Sequence, residues 1–474
     1  MRLLLGLLLV FALAPAPAAA QSGSVTGDDL AGLLPGLILG EIRLPAPGAG
    51  LSHAAHFSPL FTNELDNPAV AAVVNFNTQL ATQLATFPLG SSSGGFTYEF
   101  DPGLGTFRRS TRSFGPAFAE RAQTLGRRRM SAGVNYHHVS YDRLAGESLD
   151  NGSIRFYLSH LECCTTVGPA VPPTFGIAER PNGTRLSPFF EGDVIQASLR
   201  LKAASDTVVF FANYGLTDRW DAGVAVPVVR IELDAEIDAD ILRLSTSSNG
   251  RIHTFVSGDA SASRRTYRQS GSSTGLGDIQ LRTKYRVLGS GTAALAVGAD
   301  VRLPTGDADQ LLSAGPQTKV FVAGSSGTER FAQHVNIGYT VAAGELPAVQ
   351  TASGVVPGEH AVPDEFNYVG GVEFVASPRL TLIGDVLGRT LRGLSRLQLA
   401  TRAFEATQPD GARQTFEFSE LAPRSGHVTV LLGAVGAKYN VFGNLLLSAN
   451  VLFPLNDTGL RTKLGTSVGI DYAF

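Results

Sequence analysis

The chain closes on Thr462-Lys-Leu-Gly-Thr-Ser-Val-Gly-Ile-Asp-Tyr-Ala-Phe474, a run with an unbroken period of two. Thr462, Leu464, Thr466, Val468, Ile470, Tyr472 and Phe474 share one side of a strand, and Lys463, Gly465, Ser467, Gly469, Asp471 and Ala473 share the other. At about 3.3 Å per residue such a run is roughly 40 Å long, and a tilt of about 45° brings its height to bilayer thickness. A soluble sheet packed on a core also alternates in this way, so the remaining strands must decide. If one face meets lipid, the sheet has to close on itself, because an open edge is not tolerated in hydrocarbon.

Working back, the same plan recurs. Met130, Ala132, Val134 and Tyr136 alternate with Ser131, Gly133, Asn135 and His137. Residues 194–214 are strand-like, with the apolar phase switching near Ser205 and Asp206, which predicts a bulge or a separate hairpin. Phe210–Tyr214 returns through 215–219 into Trp220, Ala222, Val224, Val226 and Val228. Ile279, Leu281, Thr283, Tyr285 and Val287 oppose Asp278, Gln280, Arg282, Lys284 and Arg286, a division that requires water or polar partners on one side. That strand returns through Gly289-Ser290-Gly291 into 293–301, and further hairpins pair 319–324 with 331–341, 366–376 with 380–389, and 428–439 with 445–453, before the closing run.

Short turns alternate with long segments at 142–193, 232–274, 304–317, 342–365, 390–426 and 454–461, as periplasmic turns and extracellular loops do in outer-membrane barrels. Tyr214, Trp220, Tyr285, Phe331, Phe374, Tyr439, Phe442 and Phe474 gather at the short-turn ends, where an interfacial aromatic belt belongs. The expected fold class is all-β: a transmembrane antiparallel β-barrel of about 12 strands, with ten and fourteen as limits.

The ends agree with export. Met1-Arg2, a Leu-rich stretch to Ala14 and a small-residue site at Ala18 and Ala20 form a signal peptide over residues 1–20, cut before Gln21. No later run reaches the roughly 18 apolar residues of a spanning helix. Fifty-three Gly, 27 Phe, 11 Tyr, one Trp and a net charge of -3 suit a barrel, and the weak charge excludes nucleic acid as a partner. Cys163 and Cys164 are adjacent and cannot staple distant elements, so they read as a local loop feature.

Residues 21–129 do not alternate. Asn67-Pro68 opens a helix over 68–87, with Val70, Val73, Val74, Leu80, Leu84 and Phe87 at helical spacing. A Ser/Gly linker at 90–95 follows, then a hairpin over 96–111 around Pro102-Gly-Leu-Gly105. The segment either hangs in the periplasm or enters the lumen. The lumen is the placement adopted, which divides the chain into 1–20, a plug over 21–129 and the barrel over 130–474.

Between Ile231 and Ile241, Glu232, Asp234, Glu236, Asp238 and Asp240 alternate with apolar residues; a strand and a short amphipathic helix fit equally. These carboxylates are either a cation-attracting rim or a solvated charge run. Asp278, Arg282, Lys284, Arg286, Asp300, Arg302, His334, Asn336, Lys438, Lys463 and Asp471 are the candidate lumen lining, setting charge selectivity or neutralising one another around a plug. Gly90-Ser-Ser-Ser-Gly94 and Gly271-Ser-Ser-Thr-Gly275 match the serine-hydrolase elbow formula but sit in Ser/Gly linkers. His53, His56, His137 and His138 lack a ligand cluster. No catalytic residue, metal or cofactor is expected, and the chain is not read as an enzyme.

Ending on Phe474 with Tyr472 before it resembles the terminal signal by which the barrel-assembly machinery recognises its substrates. The blocks Phe210-Phe-Ala-Asn-Tyr-Gly-Leu-Thr-Asp-Arg-Trp-Asp-Ala-Gly-Val-Ala-Val-Pro227, Gly275-Leu-Gly-Asp-Ile-Gln-Leu-Arg-Thr-Lys-Tyr285 and Arg302-Leu-Pro-Thr-Gly-Asp307 resemble the outer-membrane barrel family named for the meta-pathway of phenol degradation. That resemblance, over about 194–474, implies a relative of fatty-acid and aromatic-hydrocarbon channels. The expected function is passive uptake of small, weakly polar or aromatic solutes across the bacterial outer membrane, in contact with its lipid; the alternative is a structural barrel or an outer-membrane hydrolase of the phospholipase or protease type.

Overall fold

In the computed structural model, the described residues are 29–44, 68–86, 90–91, 95–159 apart from 102 and 104, 193–244, 261–346, 361–408 and 412–474, with short pieces at 178–179, 185–186, 253–256, 259, 350–351 and 354–355. The leader at 1–20, His53, His56, Cys163 and Cys164 lie outside them.

Twelve strands make a closed antiparallel ring: β1 Met130–Leu144, β2 Asp193–Gly215, β3 Trp220–Arg243, β4 Gln280–Ser290, β5 Ala293–Arg302, β6 Gln317–Gly327, β7 Phe331–Ala342, β8 Asp364–Ser377, β9 Leu380–Arg392, β10 Val428–Phe442, β11 Leu445–Pro454 and β12 Leu460–Ala473. Each pairs with its neighbour in sequence, and β12 closes on β1 with Ile470 opposite Val134 and Val468 opposite Tyr136. The count and the even parity match the sequence reading, and the short turns mark the periplasmic end. Along the lower part of every strand the period-two rule holds. Val134, Phe210, Leu281, Val297, Val320, Ile337, Val372, Val386, Val435, Val451 and Ile470 face outward and exposed, as a lipid-facing band must.

The closing strand departs from strict alternation at one place. The register against β1 shifts on both sides of Thr462, so Thr462 is buried at 3% while Lys463 and Leu464 are both exposed. A bulge inserts a residue and flips the phase of what precedes it. Lys463 therefore leaves the lumen set, and Thr462 joins the interior.

β2 and β3, 23 and 24 residues long, run well beyond the lipid-facing band. The strand Arg264–Leu276 flanks β3 there, and Ile154–Ser159 flanks β2. The β2–β3 register is continuous from Asp193↔Arg243 to Gly215↔Asp221, with no bulge at Ser205 or Asp206. The polarity inverts instead: below the boundary apolar side chains face lipid, and above it Ile231, Leu233, Ile237 and Ile241 face inward, buried, while the acidic residues face out. Ile231 to Ile241 is thus strand rather than helix. Its carboxylates are met by arginines from both neighbours, Glu236 and Asp238 by Arg200, Glu236 also by Arg268 and Asp240 by Arg264. This crossed ladder accounts for most of the acidic run without a bound cation.

Inside the upper half lies an apolar core. The N-terminal segment brings a helical stretch in three consecutive pieces, Leu30–Gly32, Leu33–Pro35 and Gly36–Glu41, and the helix Pro68–Ala85. Leu34, Ile38, Leu39, Val73, Phe76 and Leu80 pack in one cluster with Leu199, Ile231 and Ile237 of the wall. Two glycines make room for it: a Cβ on Gly271 would meet Leu30 Cδ1 at 2.9 Å, and one on Gly275 would meet Leu312 Cδ1 at 2.8 Å. The Gly271–Gly275 stretch is therefore strand interior shaped by packing, not a strand-to-helix elbow. Above this core, the hairpin Arg396–Thr407 with Arg413–Arg424 packs against the 68–85 helix, from which Gln79 donates to Ser395 O at 3.1 Å.

Candidate functional site: the filled lumen

From the apolar core the N-terminal segment continues down the barrel to its periplasmic mouth. Tyr98–Asp101 pairs with Thr106–Arg109 in the expected hairpin, and Arg128 N donates to Gly215 O at 2.7 Å before the chain enters β1. Between them, residues 113–125 have no helix or strand of their own. An irregular backbone away from water needs partners for its N–H groups, and inward side chains of the wall supply them. Asp385 accepts from Ala117 N and Phe118 N at 3.0 and 2.7 Å, Glu373 from Gly115 N at 2.9 Å, and Thr381 from Phe114 N at 3.2 Å. Asn336 clasps Glu120 twice, accepting from its N at 2.6 Å and donating to its O at 2.8 Å. Ser325 accepts from Ala122 N at 2.9 Å and Asp221 from Leu125 N at 3.0 Å.

Arg121 stands at the centre, 0% exposed, its guanidinium 3.1 Å from Glu373 Oε2. Glu373 also takes His334 Nε2 at 2.6 Å, and His334 Nδ1 meets Ser325 Oγ at 2.8 Å. Buried charges persist only when paired and hydrogen-bonded, and this chain of contacts meets both conditions.

Most of the sequence-derived set takes part. Lys284 donates to Arg121 O at 2.9 Å, Arg286 to Asp218 O at 3.0 Å, Lys438 to Pro116 O at 2.8 Å, and Asp471 accepts from Gly95 N at 2.8 Å. Asp278 sits where the strand edge breaks between Leu276 and Gln280, and holds the loop at Gly306 N and Ala314 N, both at 3.2 Å. Arg282 bridges Asp300 at 3.0 Å and Gly90 O at 3.3 Å, with Glu120 3.4 Å away. His137 points inward and His138 outward, where it meets Asp206 at 2.8 Å. The residues missed were Glu373, Asp385, Asp221 and Arg389, on the inward phase of strands already assigned, and Ser325 and Glu365, which the sequence reading left in a turn and a long loop; Arg121 lies in a stretch with no period to read.

Between the plug and the wall lies a cavity of about 140 Å³. Arg282, Asp300, Arg302, Lys319, Glu365 and Arg389 line it together with Phe118, Val369, Leu387, Val430 and Leu432. The 68–85 helix ends above it, and its last carbonyls are capped by wall arginines: Arg302 donates to Ala85 O at 2.9 Å and Arg389 to Thr86 O at 3.1 Å. Cations at a helix C-terminus complement its dipole.

The fold is that of an outer-membrane β-barrel whose interior is filled by its own N-terminal segment. Residues 181–352 match the family described as "Putative MetA-pathway of phenol degradation", which bears out the resemblance over that stretch. Similar solved structures include a COG4313 outer membrane channel from Pseudomonas putida F1 (13% identity, 74% of this chain and 98% of that one, TM-score 0.41) and a Pseudomonas aeruginosa FadL homologue (11% identity, 83% and 97%, TM-score 0.34). The CymD monoaromatic hydrocarbon channel aligns at 8% identity over 73% and 89%, TM-score 0.33. No curated protein sequence matches the chain.

Proposed function

We propose that this protein is an outer-membrane channel for passive entry of small, weakly polar or aromatic solutes, exported by a leader over residues 1–20 and inserted through recognition of Phe474. Residues 21–129 are its plug and residues 130–474 its conduit. The inward set Asp278, Arg282, Lys284, Arg286, Asp300, Arg302, His334, Asn336, Lys438 and Asp471 serves first to hold the plug. The observation that carries the reading is the cavity at mid-lumen, half polar and half apolar, between plug and wall. An interior packed only for stability would close such a space. Twelve strands enclose a lumen too wide for wall side chains alone and narrow enough for one segment to obstruct.

The test is outer-membrane permeability in intact cells with and without the protein, comparing small aromatic solutes with sugars of similar size. Faster aromatic entry is expected, and faster still with Phe118→Ala, which widens the cavity. Equal entry in the presence and absence of the protein would remove the channel reading.

A further inference from the structure

We propose that the mid-lumen cavity binds a small organic monocarboxylate, its carboxylate at Arg302 and Gln317 and its apolar body against Phe118, Val369, Leu387 and Leu432. This rests on the channel reading and names the solute class that reading leaves open.

The argument is an accounting of donors. Glu365 is engaged by Arg389, and Asp300 is gripped by Arg282 at 3.0 and 3.2 Å with Lys319 3.9 Å away. Both carboxylates of the lining are thereby used. Arg302 is different: its one hydrogen bond runs to the carbonyl of Ala85, and no carboxylate among the described residues lies within ion-pair distance of it. Two buried side-chain atoms of the lining lack partners, Gln317 Nε2 and Arg389 Nε, and both are donors. Gln317 is only 7% exposed. Buried donors left unmade are costly, and an anion with two acceptor oxygens answers an arginine better than a neutral solute does.

Beside these donors the lining offers hydrocarbon from Phe118, Val369, Leu387 and Leu432, so the ligand's remainder is apolar. The size sets its bulk. An engineered cavity of about 150 Å³ takes up benzene, and the present one is about 140 Å³. A ring or short chain bearing one carboxylate fits that volume.

The experiment is equilibrium dialysis of the intact, detergent-solubilised protein with benzoate at neutral pH, against benzamide as the neutral isostere. Benzoate is expected to bind more tightly. Arg302→Gln should weaken it about tenfold, the worth of a hydrogen bond to a charged group, while affecting benzamide much less, and Arg302→Lys should restore much of the loss. Because Arg302 also caps a helix, each variant is checked for native heat-modifiable mobility, and Gln317→Leu, which removes no cap, should weaken benzoate independently. Equal binding of the two probes by the native protein, or undiminished benzoate binding by folded Arg302→Gln and Gln317→Leu, overturns the proposal. Benzamide entry into cells reports separately on the channel: protein-dependent entry without benzoate preference removes the site alone, whereas benzoate binding without protein-dependent entry of either probe removes the channel.

Discussion

The two halves of the barrel interior are held together by different physics. In the extracellular half, regular helices bury leucine, isoleucine and valine against an apolar wall, and the attraction is non-directional. In the periplasmic half, an irregular chain is suspended from point contacts, each needing a particular acceptor at a particular distance. A helix satisfies its own backbone and asks the wall only for greasy area; a segment without secondary structure must borrow every partner. The charges of the lower wall are there chiefly because the segment they hold is irregular.

If that contrast is right, the sharpest loss follows from Glu373→Ala, which strands Arg121 and His334 together in a buried site. Removing one partner of a buried pair costs roughly 3 to 5 kcal/mol, read as a fall in the urea midpoint of the detergent-solubilised protein. Adding Arg121→Leu to Glu373→Leu should cost less than the sum of the two single changes. Additive losses would mean that the pair is not coupled.

Leu34→Ala in the upper core should cost about 2 to 4 kcal/mol, according to how far the cavity collapses. Its signature is locality: amide exchange should quicken at 30–41 and 231–241 and stay slow in the lower strands. Spread throughout the barrel, the change would erase the distinction between the halves.

Asp385→Asn keeps the shape and one acceptor for Ala117 N and Phe118 N but removes the charge. A loss of about 1.5 to 3 kcal/mol is expected, smaller than for Glu373, because no cation is stranded in direct contact. A larger loss than Glu373→Ala would reverse the ranking.

The smallest effect is a pH dependence in the extracellular hairpin. Burial holds the Glu420 carboxyl above its usual range, against the pull of Arg402 3.4 Å away. A carboxyl raised in the folded state favours that state fully below its unfolded pKa, and the advantage is lost as pH rises through the folded value. Exchange protection at 396–424, corrected for intrinsic rates, should therefore decline modestly as pH rises past the ordinary glutamate pKa of about 4.3 and should not in Glu420→Gln.

Period two was enough to find the strands, the closure and the even parity, because lipid on one side forces alternation on each spanning strand. The same rule misled where the lipid ends. Ile231 and Ile237 continue the inward phase of Asp221 and Ala225, and what changes past Val228 is that apolar residues now occupy that inward face. The apparent phase switch at Ser205 and Asp206 marks that boundary, and it resembles a bulge because both move apolar residues to the other face. The real bulge, at Thr462, leaves no trace in composition. Within the lumen, Arg282, Asp300 and Arg302 were legible as a strand face, whereas Arg121 was not, since its position depends on Glu373 and Lys284 of strands distant in sequence rather than on any periodic pattern.

The seam between β1 and β12 has a consequence for the order of assembly. A ring closed without its filling would expose Asp221, Glu373, Asp385 and Lys438 to one another with none of the main-chain partners they have here, and the filling alone would have no partners for the amides of 113–125. Neither is a stable waypoint. Residues 113–125 immediately precede β1, so the chain that needs the wall is tethered to the strand that completes it. Zipping Ile470 against Val134 and lodging the segment inside are therefore expected to be coupled, and a barrel caught before closure should carry its N-terminal hundred residues open to protease.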